Sequence, residues 1–206
     1  MLCVISTVCA IEAQAYGGNV HNISMSYAYV KLNGVAVWRA SWGGEYPVNR
    51  GANVMIVNPS SCTMQEWHNF DTYGDSAATL RLLDYLQGLS DGTVLVGVSC
   101  DSAHIYLAYA FPTLRALGAD VSDVGYRGAW VFVAVKGDPS KTVFDKILSE
   151  ATQANSRQPR VNANFGKCDL SCKLVHYAHS RCLRCSYVVY VLVCTSVNSS
   201  DIYYVM

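Results

Sequence analysis

Charge is scarce in this chain. Only 15% of its 206 residues are charged, and 15 Lys/Arg balance 15 Asp/Glu. With no net positive field, an electrostatic nucleic-acid binder is excluded, because that function needs a basic face. No stretch reaches the ~20 consecutive apolar residues of a membrane-spanning helix. The run at residues 187–194 (YVVYVLVC) is far too short and reads as a strand. GxGxxG, a Walker loop and HExxH are all missing, so no cofactor is expected. What the chain does have is 51% hydrophobic content, enough for a core. That composition excludes a disordered chain, a collagen and a coiled coil.

The zero balance hides two unequal parts. Residues 1–150 carry nine Lys/Arg against thirteen Asp/Glu, whereas residues 151–206 carry six against two. Five of the nine cysteines lie in that last stretch: Cys168, Cys172, Cys182, Cys185 and Cys194. An acidic domain followed by a basic, cysteine-rich tail is expected, with the boundary near 155–165.

Residues 2–11 (LCVISTVCAI) form an apolar run followed by Ala13-Gln14-Ala15. Small residues at those two positions suit signal peptidase, so residues 1–15 read as a secretory leader cleaved before Tyr16. No Lys or Arg precedes the run, and the competing reading is a first buried strand. The sequons Asn22-Ile23-Ser24 and Asn198-Ser199-Ser200 matter only if the chain is secreted.

Residues 27–32 and 35–40 are β-prone runs around Asn33-Gly34, the strongest short hairpin signal. Residues 52–57, 93–99 and 129–135 are continuous apolar runs that suit buried strands. A further strand is expected around 64–67. Asp75 is placed to cap a helix over 76–86, with Ala78, Leu82, Leu83 and Leu86 on one face. A second helix is expected over 103–117, kinked or divided at Pro112 and ended by Gly118. Residues 142–152 read as a short last helix. Mixed strands and helices without a repeat indicate an α/β or α+β domain.

Gly97-Val98-Ser99-Cys100-Asp101 approaches a nucleophile elbow, but Asp101 replaces the glycine that closes the turn. His21, His68 and His104 are scattered and read as surface or satisfied core histidines. In the tail, Cys168-x3-Cys172 and Cys182-x2-Cys185 could surround zinc. In an oxidising compartment disulfides are the natural use, and no metal is expected. Cleavage of the leader would leave seven cysteines, an odd number compatible with a disulfide-linked dimer.

Four segments, in order, resemble one family. They are Arg50-Gly51-Ala52-Asn53-Val54-Met55-Ile56-Val57-Asn58; Phe70-Asp71-Thr72-Tyr73; Asp91-Gly92-Thr93-Val94-Leu95 with Asp101; and Leu117-Gly118-Ala119 leading to Gly125-Tyr126-Arg127-Gly128-Ala129-Trp130 and Lys136-Gly137. Together they look like the ILEI/PANDER-like (GG) domain. That domain occurs in secreted cytokine-like proteins and in the stem of protein O-mannose N-acetylglucosaminyltransferase. The match spans roughly residues 20–150.

The resemblance implies an α+β fold: a compact domain, here 16–155, of two curved, mainly antiparallel sheets flanked by helices. Residues 156–206 match nothing in it. It also implies a non-catalytic module whose partner is a glycan or glycoprotein, with a receptor-binding ligand as the alternative. Carried over by motif, the carbohydrate-binding residues are Arg50, Asp101 and Arg127, with Tyr126 beside the last. An arginine fork and a carboxylate suit several sugar hydroxyls at once, and an aromatic face suits the C–H side of the ring. The same Arg50, Asp71, Asp101 and Arg127 could instead form a buried network that fixes the fold. The family's aspartate after the motif arginine is Gly128 here, and its turn glycine after Asn58-Pro59 is Cys62. Trp130 alternates with Phe132 and reads as core. A glycan-active enzyme using Asp71 and Asp101 ranks below both other readings.

Overall fold

The computed structural model describes residues 8–18, 27–41, 45–148 and 158–165, and the backbone of three strands beyond them. The first unit, Val8–Phe165, contains β1 (Cys9–Gln14), β2 (Tyr16–Gly17), β3 (Tyr27–Leu32), β4 (Val35–Ser41), β5 (Gly51–Asn58) and β6 (Thr63–Phe70). Then follow α1 (Ser76–Gly88), β7 (Val94–Asp101), a 3-10 turn (Leu107–Ala110), α2 (Phe111–Ala116), β8 (Ala129–Val135), β9 (Asp138–Ile147) and β10 (Arg160–Phe165). The second unit has an antiparallel sheet of β11 (Leu170–Val175), β12 (Val191–Ser196) and β13 (Ile202–Val205). The side chains of the five tail cysteines and both sequons lie outside the described residues, so the zinc, tail-disulfide and dimer expectations do too.

The first unit has two sheets and two short helices, the expected α+β architecture. One sheet runs β10-β1-β3-β4 and the other β6-β5-β7-β8-β9, with β2 paired to β7 as its sixth strand. Strand alternation explains the packing. Ile11, Ala13, Val30 and Ala40 from the first sheet meet Met55, Val96, Val98, Val131 and Val133 from the second in one apolar cluster. The opposite face of the second sheet presents Val54, Leu95, Trp130 and Phe132 to Leu82, Leu86, Leu107 and Leu114 of the helical layer. Central strands β5, β7 and β8 are therefore covered on both faces. That is why they read as unbroken apolar runs rather than alternating ones. Trp130, 1% exposed, is core as expected.

Local chemistry sets the turns. Asn33 and Gly34 both take positive φ (49° and 81°), as a two-residue hairpin requires. The Asp75 carboxylate caps α1 by accepting the Ala77 N–H at 2.9 Å. Cys62 takes φ 51°, a left-handed conformation that glycine adopts without strain.

Three expectations change. Residues 9–14, expected within a leader, form β1, paired to β3 on one side and β10 on the other. Cys9 is fully buried and disulfide-bonded to Cys62. Cleavage before Tyr16 would remove a central strand of this sheet. Residues 138–147 form a strand where 142–152 was expected to be helical, because Gly137 (φ 81°) turns the chain back along buried β8. Ladder pairing to that strand outweighs the helical spacing of Phe144, Ile147 and Leu148. β10 closes the edge of β1 and ends at Phe165, within the range 155–165 in which the boundary was expected. Finally, the helix expected over 103–117 shortens to a 3-10 turn and α2, divided near Pro112.

Candidate functional site

Register brings three strand ends together. Gly51 at the start of β5 pairs with Cys100 near the end of β7, and β8 enters beside β7 with Val131 opposite Val98. Arg50, Asp101 and Arg127 therefore lie at one end of the six-stranded sheet. All three are half-buried rather than sealed in the core. Strand ends on a fixed sheet are where a rigid scaffold can hold polar groups in a set geometry.

Arg50 grips Asp71 with a two-pronged fork, Nε at 3.0 Å and Nη2 at 2.7 Å. Burial opposes ionisation of Asp71, but the Arg50 fork and the Gly74 N–H outweigh it and hold the carboxyl below its ordinary range. The Arg50 guanidinium also lies 5.0 Å from the Tyr73 ring centroid. Gly51 permits this approach. Its φ is +96°, and a Cβ there would meet the Phe70 carbonyl oxygen at 2.2 Å. Gly51→Ala is expected to cost roughly 3 kcal/mol, combining left-handed strain with overpacking. Urea unfolding checks this, and a loss below half that size would show that the backbone relaxes.

Asp101 and Arg127 are unusual in a second way. Both non-glycine residues adopt positive φ, 57° and 55°. Each such conformation costs on the order of 1 kcal/mol. Burial pushes the Asp101 carboxyl up, and the nearby charges of Arg127 and Arg50 only partly offset that. Gly18 makes the close arrangement feasible: a Cβ there would sit 2.1 Å from Asp101 Oδ1 and 3.3 Å from Arg127 Cγ. Its N–H donates to the Asp101 carbonyl at 2.8 Å. The Arg127 N–H donates to Ser102 Oγ at 3.2 Å.

Gly128 leaves no room for a side chain, since a Cβ there would meet the Leu148 carbonyl oxygen at 2.5 Å. The Arg127 charge acts on Asp101, whose carboxylate lies across from it.

Three rings flank these charges. Tyr73, His104 and Tyr126 have centroids 5.9, 6.4 and 5.7 Å apart, and Arg127 lies 4.8 Å from the Tyr126 centroid. Tyr126 is exposed. Burial lowers the His104 pKa, favouring a neutral ring. Tyr73 and His104 were not singled out as site residues from sequence. Their signal was position alone, two residues after Asp71 and three after Asp101. The 97–101 pentapeptide lies wholly within β7, with no strand-to-helix turn, and buried Ser99 Oγ accepts the Trp130 N–H. It is not a nucleophile elbow. Among the described residues no cluster of three or more His, Cys, Asp or Glu could hold a metal ion.

Residues 50–138 match the family profile described as Interleukin-like EMT inducer. The resemblance read from the four segments is thereby borne out. Over 109 residues, 52% of this chain, the sequence is 34% identical to the human "Cell migration-inducing and hyaluronan-binding protein", covering 8% of that protein. Mouse "Protein FAM3D" is 31% identical over 110 residues, covering 48% of its length. Bovine "Protein FAM3C" is 30% identical over 110 residues, again covering 48%. The matched region thus spans less than half of each relative.

Proposed function

We propose that the ILEI-like domain of this chain is a secreted, non-catalytic carbohydrate- or glycoprotein-binding module. In this reading Asp101 and Arg127 hold sugar hydroxyls, Tyr126 covers the C–H face of the ring, and Arg50 fixes the Asp71–Tyr73 loop beside them. The observation that carries it is the convergence of these half-buried groups at one strand end, with Asp101 and Arg127 both in left-handed backbone. Strain and desolvation kept together at one place favour a ligand site over a structural network. The name of the human relative, a hyaluronan-binding protein, supports a glycan partner. The Cys9–Cys62 disulfide supports an oxidising, extracellular location. Asp71, locked as a carboxylate by Arg50, is poorly suited to shuttling a proton, which weighs against glycoside hydrolysis.

The test is titration with methyl β-N-acetylglucosaminide, followed through backbone amide shifts. Arg127→Ala is expected to weaken binding about tenfold with the fold intact, the scale of one charge-assisted hydrogen bond. Binding also depends on pH. Protonated Asp101 no longer accepts from two hydroxyls, so affinity should fall as acid protonates it, with a midpoint above 3.8. His104, already lowered by burial, should add no step at 6.5. Affinity that is flat down to pH 3.8 would remove Asp101 from the site.

A second reading is a cytokine-like ligand for a receptor protein. Ile105, Tyr106, Tyr109 and Tyr126 are all exposed, Tyr109 by 76%, and apolar surface of this kind suits a protein partner. Cell-surface binding that survives deglycosylation and is lost in Tyr109→Ser would favour it.

A further inference from the structure

The solvent face of the four-stranded sheet holds a cavity of about 370 Å³, distinct from the strand-end site. Its floor follows from register. Arg160 pairs with Gln14, Gln14 with Tyr29, and Tyr29 with Arg39, one row across β10, β1, β3 and β4. Three strand spacings put the two arginine Cα atoms about 14 Å apart. Between them, Tyr29 carries Lys31 Nζ at 4.5 Å and the Arg160 guanidinium at 5.7 Å from its ring centroid.

Among the described residues, cations are in excess. Lys31, Arg39 and Arg160 line the cavity against one carboxylate, Glu12. Glu12 is occupied: it takes Lys31 at 3.4 Å and Arg160 at 3.8 Å, and accepts the Tyr29 hydroxyl. Asp145, which accepts the Arg160 N–H at 3.0 Å, still leaves three cations against two carboxylates. Arg39 is exposed, and its guanidinium donates to the neutral Tyr46 hydroxyl at 2.6 Å. Tyr27 stacks on Tyr29 at 5.9 Å and is 41% exposed, so an aromatic surface lies on the same face.

We propose that this cavity binds an acidic sugar residue, a hexuronate, with its carboxylate on the Arg39 fork and its ring against Tyr27. A carboxylate matches the planar donors of arginine, and a pyranose C–H face matches an exposed aromatic ring. The volume lies at the small end of the range for ligand cavities, as one monosaccharide requires.

The probe is glucuronate, titrated against the folded domain with amide shifts read at Tyr27, Arg39 and Tyr46. Glucose supplies the ring without the charge, and acetate the charge without the ring. Saturable glucuronate binding is expected, with each control at least about tenfold weaker. Arg39→Ala should lose about tenfold, whereas Asp101→Asn should leave it unchanged. That last variant separates failure here from failure of the strand-end site. Absence of saturable shifts overturns the proposal, as does glucose or acetate binding equally well. If Arg39→Ala unfolds, Tyr27→Ser and the wild-type comparison with both controls decide it alone.

Discussion

Asp101→Asn is expected to abolish measurable sugar binding while leaving the domain as stable as before, or slightly more so. Asparagine matches aspartate in shape and tolerates left-handed backbone, so φ 57° is not a barrier. What changes is charge. Burial raises the Asp101 carboxyl above its ordinary 3.8, so its ionised form weakens the fold at neutral pH. The sign follows from linkage. A carboxyl with a raised folded-state pKa imposes its penalty above that pKa and sheds it as pH falls toward 3.8. The variant's stability advantage should therefore be largest near pH 7 and vanish below 3.8. Binding should meanwhile fall by at least about tenfold, since a carboxylate acceptor becomes an amide. Parallel thermal unfolding and titration measure both effects. A purely structural network gives the opposite pattern, because breaking its ion pair destabilises the fold.

The second large effect concerns the N-terminal strand. Cys9→Ala paired with Cys62→Ala is expected to cost about 4 kcal/mol, from loop-closure entropy across a separation of 53 residues. For a domain of this size that lowers Tm by roughly 8–16 °C. Among the described residues Cys100 is the free cysteine, and it does not replace the lost bridge. It is completely buried, and burial pushes its thiol up, away from the reactive thiolate. Removal of residues 8–15 should be worse, because it also takes β1 from between β3 and β10. Chemical unfolding of the variants checks both. Unchanged stability after deleting those residues would restore the leader reading.

The central sheet was legible because its strands advertise double burial. Residues 52–57, 93–99 and 129–135 are continuous apolar runs, and all three became strands covered on both faces. The Asn33-Gly34 turn and the Asp75 cap were equally readable, because each depends on chemistry within a few residues. Strands β1, β9 and β10 were not. β1 looked like a leader because an apolar segment before small residues has the same composition in either role. β9 pairs with β8 across the Gly137 turn although its own residues carry a helical spacing, and β10 is a strand only because it pairs with β1, far away in sequence. At the site, family motifs supplied Arg50, Asp101, Tyr126 and Arg127 by number. The Asp71 fork and the Tyr73–His104–Tyr126 rings come from three separate segments joined only by the fold. No local pattern could announce them.

One measurement bears most directly on carbohydrate recognition at the strand end. The isotope-labelled domain is titrated with methyl β-N-acetylglucosaminide and its relatives, and the amide shifts are mapped. Saturable shifts confined to Tyr73, Asp101, His104, Tyr126 and Arg127, lost in Asp101→Asn, are the expected result. No saturable shift there with any neutral or amino sugar, in a domain that is demonstrably folded, would contradict it.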